Sequence, residues 1–120
     1  MGSLAAVTCL LVVMAAADPP VRSDRPYVVA FPAEEARLVR FLVHRSSGGE
    51  PCIDELEVYA EDGKQNLALA GHGAKATASS LLLGHAAHAV EHLNDGQYGN
   101  ARSWISAGTS GEWAQIELAK

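Results

Sequence analysis

The sequence is short of the features that mark several large classes of protein. It has no basic cluster: Arg37, Arg40 and Arg45 are spread along one segment, and the net charge is −5 over 120 residues. A nucleic-acid partner demands a concentrated basic patch, so that partner is disfavoured, and an anionic membrane surface is disfavoured on the same ground. No apolar run reaches the roughly 20 residues needed to span a bilayer. There are two cysteines, Cys9 and Cys52. Catalytic signatures are missing as well. Gly108-Thr109-Ser110-Gly111 is not a nucleophile elbow. Gly71-His72-Gly73 lacks the third glycine and the context of a dinucleotide loop, and no phosphate loop or His-Glu-x-x-His pattern occurs. Glu55 and Glu57 stand two apart on one predicted strand face, which reads as an acidic stripe rather than an acid/base pair. The sequence thus predicts no enzyme.

What is present begins with Leu4–Ala17, an uncharged stretch ending in Ala15-Ala16-Ala17 and followed by Asp18-Pro19-Pro20. Such a stretch reads as a signal peptide, residues 1–17, and predicts a secreted or periplasmic chain, although Met1-Gly2-Ser3 carries no Lys or Arg. Removal of the leader leaves Cys52 alone. An internal disulfide is then excluded, and Cys52, next to an apolar-alternating run, is expected to be buried. Residues 18–35 carry Pro19, Pro20, Pro26 and Pro32 and read as a linker, with room for a short strand at Tyr27-Val28-Val29.

Residues 36–120 read as one all-β module. Hydrophobic residues at 48% and charged residues at 19% suit a folded domain. Ala36–His44 alternates, with Val39, Phe41 and Val43 on one face. Ser46–Pro51 is a turn, and Cys52–Tyr59 a second strand with Cys52, Asp54, Leu56 and Val58 facing inward; the two strands are expected to pair as a hairpin. Gly71–Ser80 suits a loop or irregular edge strand, His85–Leu93 has weak helical character, and Asn94-Asp95-Gly96 is a tight turn. Short strands follow at Ser103–Ser106 and Trp113–Leu118. Several short strands with glycine-rich turns predict a sandwich.

Five segments in order carry a resemblance. Asn66-Leu67-Ala68-Leu69, Lys75-Ala76-Thr77-Ala78-Ser79-Ser80, His88–Gly96, Ser103-Trp104-Ile105-Ser106 and Glu112–Leu118 together resemble the discoidin, or coagulation factor 5/8 type C, domains. Those are galactose-binding-like jelly-roll β-sandwiches. Ala36–Val43 and Ile53–Tyr59 are similar to the strands that normally close such a domain, yet here they come first. A circularly permuted module, or the tail of one module joined to the head of the next, would give this order, and permutation is the simpler reading because sandwich termini lie close together. The resemblance covers five or six strands where the family has about eight, so the module reads as incomplete.

The resemblance implies non-catalytic binding, with a carbohydrate or cell-surface glycoconjugate as ligand. It also implies structural calcium in the loop of Asn94, Asp95, Gly96, Gln97, Asn100 and Ser103, with Glu55 matching the glutamate of the closing strand. Carboxylate, amide and carbonyl oxygens suit calcium. The alternative for this loop is an Asp-Gly turn pinned by hydrogen bonds. Two other functions stay open: a structural or protein-interaction module positioning a neighbouring domain, and a zinc-dependent enzyme built on His85, His88 and His92, which would share one face if the segment were helical. Trp104 and Trp113 offer sugar-stacking surfaces, against the more frequent role of core packing.

Overall fold

A computed structural model describes residues 21–99 and 101–119. The leader reading, the start of the linker, Asn100 and Lys120 lie outside the described residues. The described chain is all-β. Five strands run in chain order: β1 (Leu38–Arg45), β2 (Cys52–Ile53), β3 (Lys75–Ala78), β4 (Trp104–Ile105) and β5 (Ser110–Glu117). Two short 3-10 turns, Ala70–His72 and Val90–Asn94, are the only helical elements among the described residues. No helix there is long and apolar enough to cross a membrane.

The larger sheet has the order β1-β5-β3, antiparallel throughout. Strand β5 lies at its centre because both of its edges find partners. Leu38 faces Glu117, Val39 faces Ile116 and Phe41 faces Ala114 on one side; Ala76 faces Ile116 and Ala78 faces Ala114 on the other. Alternation then sorts the faces. Ala114 and Ile116 are fully buried, Val39, Ala76 and Ala78 pack against them, and Leu38, Arg40, Leu42, Trp113, Gln115 and Thr77 take the outer face. There Arg40 lies 4.0 Å over the Trp113 ring and its Nε donates to Gln115 Oε1 at 2.9 Å.

The smaller sheet is β2 against β4, with Cys52 opposite Ile105 and Ile53 opposite Trp104. Trp104 is the largest fully buried side chain, and its Nε1 donates to the Ser80 carbonyl at 2.9 Å. One core joins both sheets: Ala68, Ala74, Leu93, Trp104, Ala114, Ile116 and Leu118, with Ile53, Leu56, Val58, Leu67, Leu81 and Val90 packed around it.

Several expectations need correction. β1 and β2 do not form a hairpin; β1 pairs with β5 and β2 with β4. The strand expected over Cys52–Tyr59 stops after Ile53, because Asp54 and Glu55 turn to meet backbone N–H groups of the 96–99 loop. The facing differs at the start of this run: Ile53 packs on the core while Cys52 is exposed, and Leu56 and Val58 pack inward as expected. Tyr27-Val28-Val29 forms no strand; Val28 is 83% exposed and Val29 49%.

Candidate functional site

The site with the most concentrated polar chemistry lies where the 94–99 loop meets the segment after β2. Gly96, at φ +78, allows the chain to reverse there, a conformation that disfavours a side chain. Its N–H donates to Glu55 Oε1 at 2.9 Å, and Gln97 N–H donates to the same oxygen at 3.2 Å. Gln97 N–H also reaches Asp95 Oδ1 at 2.8 Å, the local bond typical of an aspartate turn. Gly99 N–H donates to Asp54 Oδ2 at 3.0 Å. Two adjacent carboxylates, Asp54 and Glu55, therefore fasten three successive parts of one loop.

The second oxygen of Glu55, Oε2, is buried and meets no donor. Beside it stands the Asp95 carboxylate. Burial, then the neighbouring Asp95, push the Glu55 carboxyl up to about 7 against the bonds from Gly96 and Gln97. Asp95 moves the other way. Its own burial raises it, but His92, Glu55, Gln97 N–H and Arg102 outweigh that and hold it at about 2. The contacts are His92 Nδ1 at 2.9 Å and Arg102 Nη2 at 3.2 Å from Asp95 Oδ2. Two carboxylates pressed together with one orphaned oxygen hold a proton more tightly than a free carboxyl does, or accept a cation.

Of the residues predicted for calcium, the structure brings Glu55 and Asp95 together. Asn94 is buried and points into the body, its Nδ2 donating to the Ala68 and Ala74 carbonyls at 2.8 and 3.3 Å. Ser103 is fully buried, its Oγ 3.0 Å from His88 Nδ1. Asn100 lies outside the described residues. Glu55 Oε2 and the Asp95 carboxylate are oxygen donors of the kind calcium takes. The side chains of Asn94 and Ser103 are already committed elsewhere.

The histidine face expected for zinc does not form. Residues 85–89 are turns and extended chain, and 90–94 a 3-10 turn, so the helical spacing of His85, His88 and His92 is lost. His88 goes to Ser103 and His92 to Asp95. Among the described residues no three His, Cys, Asp or Glu side chains gather to hold a metal. Trp104 lies in the core, and Trp113 is covered by Arg40.

Sequence reasoning missed Tyr98, Asp54 and Arg102. Tyr98 is 68% exposed, directly between Gln97 and Gly99, whose N–H groups the two carboxylates hold. An aromatic two residues past the Asp-Gly pair was the available signal. No protein-family model, no curated protein and no solved structure matches the chain.

Proposed function

We propose that the chain is an exported, non-catalytic binding module, a permuted and incomplete discoidin-like jelly roll whose loop at residues 94–99 takes a carbohydrate or cell-surface glycoconjugate. The observation that carries this reading is Tyr98, an exposed ring on a loop that Asp54 and Glu55 hold in place. A tyrosine offers an apolar face with a polar tip and few rotamers to freeze, which suits stacking against the C–H face of a sugar ring. Gln97, its neighbour in the chain, adds an amide able to meet hydroxyls. Fixing the loop before the ligand arrives lowers the ordering cost of binding. Calcium between Glu55 Oε2 and Asp95 would replace the retained proton and tighten the same loop.

The test is a glycan array with the folded protein, in calcium and in chelator, followed by titration of any hit against Tyr98→Ala. The reading expects binding that weakens about tenfold or more without the ring, equivalent to about 1.4 kcal/mol. A folded protein without a hit, or a hit indifferent to Tyr98→Ala, overturns it.

A second reading, a module that docks to protein, is favoured by the exposed apolar residues Val28, Val29 and Phe31 ahead of β1.

A further inference from the structure

Strand β1 has one partner, β5, and its other edge is open. The bond from Leu118 N–H to the Arg37 carbonyl, 2.8 Å, fixes the phase of the ladder. In an antiparallel pair alternate residues turn their N–H and C=O groups to the same neighbour. Arg37, Val39, Phe41 and Val43 therefore address β5, while Leu38, Arg40 and Leu42 present their backbone groups outward. Among the described residues none of these three has a backbone partner on that side. Unpaired edges of this length recruit strands.

The same chain carries a suitable strand. Tyr27-Val28-Val29-Ala30-Phe31 is uncharged and rich in β-formers. Val28–Phe31 are exposed and Tyr27 is half-buried, and the segment makes no backbone hydrogen bond among the described residues. Pro26 and Pro32 bracket it. In an extended strand successive N–H groups point to opposite edges, so both prolines, six residues apart, blank the same edge as Val28 and Ala30. The opposite edge, Tyr27, Val29 and Phe31, keeps every donor.

We propose that this arm adds antiparallel to the open β1 edge of a second copy of the chain, with Phe31 opposite Arg40 and Val29 opposite Leu42. This register puts the intact arm edge against the outward groups of β1 and leaves both prolines where no donor is needed. Val29 then extends the outer-face row of Leu42 and Trp113, covering Leu42, which is 44% exposed. Glu34 comes opposite Arg37, a pairing of opposite charges. Pairing of two β1 edges would instead set Arg40 near Arg40 and is disfavoured.

The register also decides between a second copy and a fold-back. Within one chain it would leave Glu35-Ala36 as a two-residue hairpin loop, which needs positive φ. Neither residue adopts that readily, and no non-glycine residue described has positive φ. Between copies no such turn is needed: the chain bends at Arg37, so the arm does not continue the edge phase of β1 and its intact edge can reach the open edge of the other copy. Each arm then serves the other's edge, an exchange that closes as a dimer.

Sedimentation equilibrium of the full chain tests this, with two variants one residue apart. A reversible dimer is expected. Val29→Pro removes a needed donor and should weaken it about tenfold or more. Val28→Pro falls on the blanked edge and should leave it within about twofold. Both should melt like the parent when held dilute, since the arm bonds nothing in the body. A monomer at every concentration, a dimer that ignores Val29→Pro, or equal loss from both variants overturns the proposal. So does concentration-independent amide protection of Val29 and Phe31, the mark of a fold-back.

Discussion

The two sheets of this molecule are built by different means. The β1-β5-β3 sheet is a regular ladder whose inner residues alternate with outer ones, and the facing of β1 and β5 reads straight from the sequence pattern. The β2-β4 side has strands of two residues each, and side chains hold the chain around them to backbone. Asn66 Oδ1 accepts from Val58 N–H and Ala68 N–H at 3.1 and 3.0 Å, Asn94 spans Ala68 and Ala74, and Asp54 and Glu55 hold the 96–99 loop. A ladder spreads its stability over many equivalent bonds. A pinned side concentrates it in a few polar side chains, of which Asn94 is the costliest to remove because its bonds to the Ala68 and Ala74 carbonyls are buried.

That contrast can be broken most forcefully at Trp104. Trp104→Ala deletes the largest buried side chain and a bond to Ser80, and should cost about 3–5 kcal/mol in urea unfolding. The contrast is sharpened by Asn94→Ala against Gln115→Ala. The first leaves two carbonyls without their donor and should cost about 2 kcal/mol, whereas the second, on the outer face of the ladder, should cost less than about 0.5 kcal/mol. Equal losses would mean that the pinned side is no more concentrated than the ladder.

The smallest effect concerns pH. The Glu55 carboxyl sits at about 7 in the folded chain against an ordinary 4.5. The folded state therefore binds its proton more tightly, and the resulting stability is complete below 4.5 and lost as pH rises through 7. Asp95 has the opposite sign: at about 2 against 3.8, its contribution is present above 3.8 and lost as pH falls through 2. Between these ranges the contribution of the pair changes through Glu55. Glu55→Gln mimics the protonated form, so its unfolding free energy should match the parent near pH 4.5 and exceed it above pH 7 in chelator. Calcium should close that gap from the parent's side. A difference that does not change with pH would mean that Glu55 and Asp95 do not share a proton.

Legibility followed the same division. Strands β1 and β5 were readable because Val39-Phe41-Val43 and Ala114-Ile116-Leu118 alternate, and alternation is what a one-sided sheet imposes. Pairing was not readable: Leu38 meets Glu117 from the far end of the described strands, and local pattern carries no long-range register. Cys52–Tyr59 misled for a different reason. Its alternation suits a strand, but Asp54 and Glu55 satisfy loop N–H groups instead of leaving the backbone to pair. The Asp-Gly turn was visible through glycine chemistry, and Gly96 does take positive φ. The inward turn of Asn94 was hidden, because an asparagine's sequence context does not say whether its amide faces a loop or the core.

The placement of β5 also sets a timetable. Both β1 and β3 depend on it for pairing, and it is the last of the five strands to be synthesised. No part of the larger sheet can zip until β5 has emerged, so the early strands must wait without partners. Closing contacts so far apart in sequence is slow. Until β5 arrives, the apolar faces of β1 and β3 stand open to any other strand or surface that meets them first.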